Sequence, residues 1–141
     1  MEACRKFIFC RVVLVSVLIT FITSCHMDEY RFPLIPIVIT SNPVGVTSIS
    51  AMCGGNVTTD FGYKVLFRGI CWSTNHTPTV ADSISTDSLM RDGLGEFPIN
   101  ISGLASNTTY YVRAYAVNAN GVGYGRTLSF TTGILFTNTK R

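Results

Sequence analysis

Leu104-Ala-Ser-Asn-Thr-Thr-Tyr-Tyr-Val-Arg-Ala-Tyr-Ala-Val-Asn118 is the most regular stretch of the 141-residue chain, and its alternation decides the fold class. Successive side chains of an extended strand point to opposite faces. Tyr110, Val112, Ala114 and Ala116 therefore share one face, and Tyr111, Arg113, Tyr115 and Val117 share the other. The first face is apolar with one hydroxyl near its start. That is the pattern of a tyrosine corner, in which a buried Tyr hydroxyl bonds upstream backbone where the chain changes sheet. The Asn118-Ala-Asn-Gly121 that follows reads as a tight turn, because Asn and Gly accept positive φ.

Working outward, no segment beyond residue 30 repeats apolar residues at helical spacing. Short β-branched and aromatic runs alternate instead with Gly, Asn and Asp. Strands are expected at 37–40, 48–57, 64–73, 95–101, 110–118 and 125–132, with a short one near 79–84. Turns are expected at Ser41–Gly45, Thr59–Gly62 and Asp92-Gly93. About seven antiparallel strands in about 100 residues predict an all-β, immunoglobulin-like sandwich.

The composition is 47% hydrophobic and 13% charged, against a usual charged fraction of about 25%. The apolar excess lies at the N-terminus. Arg5, Lys6 and Arg11 precede the apolar run from Val12 to Thr23. That run is shorter than the roughly 20 residues a membrane-spanning helix needs and suits a signal peptide; an uncleaved anchor is the alternative. Its end, Leu18-Ile-Thr-Phe-Ile-Thr-Ser-Cys25, resembles a bacterial lipobox, which implies cleavage before Cys25 and acylation of its thiol. Several acyl chains, at about 0.8 kcal/mol per buried CH₂, hold a protein firmly on a bilayer. The expected division is a lipoprotein signal peptide at 1–24, a tether at 25–35, a sandwich domain at 36–132 and a tail at 133–141.

Residues 1–24 carry Arg5, Lys6, Arg11 and Glu2, so without them the net charge falls from +3 to +1. Little remains to neutralise a phosphate backbone, and no nucleic-acid partner is expected. Asp28-Glu29 resembles the acidic export signal of Bacteroidetes surface lipoproteins, and reads equally as a solvated tether.

Ordered blocks extend the resemblance. Cys53-Gly-Gly-Asn-Val-Thr58, Arg68-Gly-Ile-Cys-Trp-Ser-Thr74, Gly93-Leu-Gly-Glu-Phe97, Tyr110–Ala116 and Ser129-Phe-Thr-Thr132 are similar to the fibronectin type III-like modules of Bacteroidetes lipoproteins, as is the Leu104, Thr108, Tyr110 spacing. The resemblance implies a non-enzymatic structural, protein-interaction or adhesion module on the outer membrane, facing the cell surface or the periplasm. Trp72 departs from the pattern, since it lies on the third strand rather than the second.

Candidate side chains are few. Tyr111, Arg113 and Tyr115 form an outward row that Trp72 and Arg68 of the third strand can join, a surface suited to stacking sugars or docking a partner. A small glycan-binding protein is accordingly the alternative to the interaction module. The third strand admits two readings, with Val65, Phe67, Gly69 and Cys71 inward or with Leu66, Ile70 and Trp72 inward; the second is favoured. Cys53 and Cys71 are candidates for a disulfide or for two buried small apolar side chains. Asp82-Ser83-Ile84 and Asp87-Ser88-Leu89 are similar to a bacterial O-glycosylation acceptor, with Ser83 and Ser88 as the sites. No CxxC or HxxxH spacing occurs, so neither metal nor cofactor is expected. With two histidines in the chain and His76 isolated in a loop, catalysis is not expected.

Overall fold

The computed structural model describes residues 32–89 and 93–135. The expected signal peptide, Cys25 and Asp28-Glu29 lie outside the described residues. A compact unit begins at Pro33, so the last residues of the expected tether join the domain. Eight strands follow in order: β1 Ile37–Thr40, β2 Ser50–Thr59, β3 Phe67–Ser73, β4 Ser83–Thr86, β5 Gly95–Ser102, β6 Thr109–Asn118, β7 Gly121–Tyr124 and β8 Leu128–Thr131. They form two antiparallel sheets, β1-β2-β5 and β4-β3-β6-β7, with β8 also paired to β6. The all-β sandwich is as expected from the alternation.

The quoted stretch behaves as its pattern requires. Val112, Ala114 and Ala116 are fully buried between the sheets with Ile70, Val57, Phe97 and Ile101. Tyr110 lies beside that core, stacks on Phe130 with centroids 5.9 Å apart, and its hydroxyl accepts the Ala105 N–H at 3.0 Å. The tyrosine corner is present. It fastens the β5–β6 connection to β6, an interaction of roughly 1 kcal/mol.

Two strands follow β6 where one was expected at 125–132: β8 lies within that span and β7 precedes it, directly after the expected turn. Both β7 and β8 run along the same side of β6, and the ladder between them is interrupted at Gly125–Thr127. Thr40 of β1 fills the interruption: its buried Oγ1 accepts the Ala114 N–H at 3.1 Å. Only a residue without a side chain admits Thr40 there. A Cβ on Gly125 would collide with Thr40 Oγ1, and one on Gly123 with the carbonyl oxygen of Pro36. The alternate glycines of Gly121-Val-Gly-Tyr-Gly125 thus let β1 cross directly over β7.

The chain enters at one end of the sandwich. Leu34 O accepts hydrogen bonds from Asn118 Nδ2 at 2.7 Å and Asn120 Nδ2 at 3.2 Å. The β2–β3 loop lies at this end too, since Ile37 pairs with Thr59 and Leu66 N–H donates to Val117 O at 2.7 Å. At the opposite end Gly133 bonds Thr47 and Asn107, which carries the fastened backbone one residue past the expected domain limit of 132.

Candidate functional site

The outward row of β6 is present, but a loop covers it. Residues 74–82, between β3 and β4, fold over the outer face of the second sheet. His76 packs on Tyr111 with ring centroids 4.3 Å apart. Arg113 Nε donates to Gly125 O at 3.0 Å and Nη1 to Pro78 O at 3.4 Å, while its guanidinium lies 4.4 Å above the Tyr124 ring. Tyr124 Oη in turn accepts the Val80 N–H at 3.0 Å. Tyr115 is only 3% exposed, its hydroxyl within 3.2 Å of Thr86 Oγ1 and resting over Gly69. Tyr111 and Arg113 keep partial exposure but engage this loop, and Tyr115 engages β3 and β4, so the groups expected to bind a ligand are taken up within the domain.

Two expected members of that row lie elsewhere. Trp72 shares the inner face of β3 with Ile70 and packs against the core, on the side of the sheet opposite Tyr111. Burial of Ile70 and Trp72 agrees with the favoured reading of this strand, although Leu66 is exposed. Arg68 also points inward and is 4% exposed. Its Nε and Nη2 meet Asp87 Oδ2 at 2.9 and 2.8 Å, and Nη1 donates to Leu94 O at 2.7 Å. The outward placement of Trp72 and Arg68 is therefore corrected: on β3 the even positions face the core.

The same parity corrects the disulfide. Cys53 is in the core between the sheets, whereas Cys71 lies among the odd residues of β3, opposite Arg113 on the covered outer face. Both are free and buried. Burial raises the Cys53 thiol from 9.0 to about 12 and the Cys71 thiol from 9.0 to about 11. The thiolate is the reactive form, so neither residue is expected to react with iodoacetamide near pH 8.5 until the protein unfolds. A raised folded-state pKa also means that the unfolded chain loses these protons first as pH climbs past about 9. Stability should therefore fall above that pH, and Cys53→Ala should flatten the decline in alkaline urea titrations. An unchanged slope would contradict the burial of this thiol.

Ser83, on edge strand β4, and Ser88 after it are both exposed. Their preceding carboxylates are engaged differently. Asp87 is held by Arg68, while Asp82 Oδ2 accepts the Thr79 N–H at 2.8 Å.

A surface that the sequence reading did not single out is the outer face of the first sheet. Val44 and Met52 pair through two backbone hydrogen bonds of 2.9 Å, and Ile39 lies further along the same face, paired with Asn56. Ile39, Val44 and Met52 are 52%, 59% and 41% exposed. With Glu96 and Pro98 of β5, Val44 and Met52 border a shallow groove over Gly54. The signal was in β1 and β2, where apolar residues occur at both parities: Val38 and Cys53 face the core, and Ile39 and Met52 face solvent.

No family model matches the sequence, and no curated protein matches it. Among solved structures, the sensor domain of the anti-sigma factor RsgI4 of Pseudobacteroides cellulosolvens is similar, with a TM-score of 0.52 at 18% identity over 71% of this chain and 96% of that one. A longer form of that domain gives a TM-score of 0.53 at 16% identity over 76% of this chain and 98% of that one. A fibronectin type III domain of the human KIAA0970 protein gives 0.51 at 10% identity, over 77% of this chain and 81% of that one. At such identities the likeness concerns the backbone, and the backbone is that of a fibronectin type III-like sandwich.

Proposed function

We propose that the protein is a non-enzymatic interaction module, tethered by acylated Cys25 to the outer membrane and docking a protein partner through the outer face of its first sheet. The observation that carries the reading is the exposed apolar pair Val44 and Met52 bordering the Gly54 groove, with Ile39 exposed further along the same face. A similar sandwich acts as a sensor domain in an anti-sigma factor, so recognition is within the repertoire of this shape. Glycan binding through Tyr111, Tyr115 and Trp72 is disfavoured, because those rings are engaged by the 74–82 loop, by β3 and β4, or by the core.

The test is made on cells that express the full chain. Intact mass should show cleavage before Cys25 and added acyl chains. Protease shaving of whole cells reports which side of the outer membrane the domain faces, and Asp28→Ala with Glu29→Ala should alter the outcome. A photo-crosslinking residue at position 52 should give a protein adduct that Ile39→Arg removes, whereas one at position 111 should give none. An adduct only at position 111, or one containing sugar, would overturn the docking face. A bare Cys25 thiol would overturn the anchor.

A further inference from the structure

The end of the sandwich at which the chain enters carries a group of exposed apolar side chains that the core does not use. Phe61, Tyr63 and Leu66 of the β2–β3 loop and Phe67 at the start of β3 are 48%, 42%, 43% and 57% exposed, and Leu89 and Leu94 are exposed at the same end. Lys64 is exposed in their midst, and the loop's carboxylate, Asp60, is turned onto its own backbone, accepting the Gly62 N–H at 2.9 Å. The opposite end also exposes apolar residues, Val44, Val46 and Ile49 among them. Among the described residues, though, its connections contain no Phe, Tyr or Trp. Aromatic rings with a cation whose stem can reach upward form the composition that settles at a bilayer interface.

The loop is built to present a ring. Tyr63 N–H donates to Asp60 O at 3.0 Å, closing a turn whose central residues, Phe61 and Gly62, have φ of 53° and 79°. Turns with positive φ at both centres favour Asn, Asp or Gly there. Phe61 occupies the first centre against that preference, and almost half of its surface is in solvent.

The tether limits where this end can go. Eight residue steps separate Cys25 from Pro33, a reach of at most about 28 Å when extended and nearer 16 Å when flexible. Ten-residue strands make the sandwich roughly 33 Å long. If Cys25 is acylated, the entry end therefore stays within one domain length of the lipid, and the domain cannot stand upright on its far end.

We propose that this loop end, centred on Phe61, Tyr63, Leu66 and Phe67, seats on the lipid surface, so that the domain stands on the membrane and turns its sheet faces sideways. The inference rests on the Cys25 anchor. Seating adds a contact to the anchor and fixes orientation, which a flexible tether alone does not.

The experiment uses the full chain, purified from bacterial membranes and reconstituted in vesicles of phosphatidylethanolamine and phosphatidylglycerol. Intact mass first establishes acylation. An environment-sensitive fluorophore is attached at Lys64→Cys, with Val46→Cys at the far end as the reference; Cys53 and Cys71 are buried and do not compete. The probe at position 64 should give blue-shifted, stronger emission in vesicles, the probe at 46 should not, and amide exchange over residues 60–64 should slow by about tenfold. Phe61→Asn should raise Tm by about 4 °C, because Asn suits the turn, and combined with Phe67→Asn it should abolish the blue shift. Acylated protein whose two probes report the same aqueous environment overturns the seating and leaves the anchor standing. Protein without acyl chains overturns both.

Discussion

Arg68→Met should cost about 3–5 kcal/mol, the range for removing one partner of a buried ion pair. A small domain has only about 5–15 kcal/mol of stability in total, so the variant should unfold at a much lower urea midpoint. The reason is the number of groups that one guanidinium satisfies. It meets Asp87 Oδ2 at 2.9 and 2.8 Å, donates to Leu94 O at 2.7 Å and to Gly93 O and Gly95 O at 3.3 and 3.4 Å, and lies 5.0 Å from the Phe97 ring centroid. Both side chains are below 10% exposed, at 5% and 9%. Methionine would fill much of the volume but strand a buried carboxylate and at least one carbonyl. Asp87→Leu in the Arg68→Met background removes that carboxylate and should recover part of the loss. A loss under about 1 kcal/mol for Arg68→Met would place the pair among weak, solvated ones.

The same residue shows what a sequence pattern conveys and what it withholds. On β6 the alternation was unambiguous, because one face is Val112, Ala114 and Ala116 and no inward residue is charged. On β3 the rule was obeyed but concealed, since the inward positions are Arg68, Ile70 and Trp72 and the outward ones Phe67, Gly69 and Cys71. An inward arginine looks like an outward one until its carboxylate is found, and Asp87 lies 19 residues away. Cys71 misleads for a related reason: a buried cysteine on the outer face is possible because the 74–82 loop folds over that face. Coverage by a loop carries no periodic signal. The alternation places Tyr111, Arg113 and Tyr115 on the outer face of β6, where they lie, yet their neighbours His76, Pro78 and Thr86 come from segments 29–35 residues distant. The separate strand β7 and the gap before β8 were equally hidden, because the residue that fills the gap is Thr40, 74 residues before the Ala114 amide it satisfies.

Gly123→Ala is the second large effect expected, and it tests that long-range arrangement directly. The new Cβ would occupy the position of Pro36 O, which is backbone and has no rotamer to change. Either β7 or β1 must move. Over-packing of this kind costs about 1–3 kcal/mol where side chains can adjust, and the upper end or beyond is expected where backbone must. β1 is the element that should yield, being four residues long and an edge strand paired only to β2 in its own sheet. Its displacement would draw Val38 and Thr40 out of the interior and leave the Ala114 N–H without its 3.1 Å acceptor. Hydrogen exchange then supplies a local reading beside the global Tm: the Ala114 amide should lose protection while Val112, paired with Trp72 of β3 and Leu128 of β8, keeps it. Val122→Ala, next in the chain and only partly buried, should change stability by less than about 1 kcal/mol. Should Gly123→Ala leave both Tm and the Ala114 amide unchanged, β1 does not cross β7 as described, and the alternate glycines of 121–125 have some other cause.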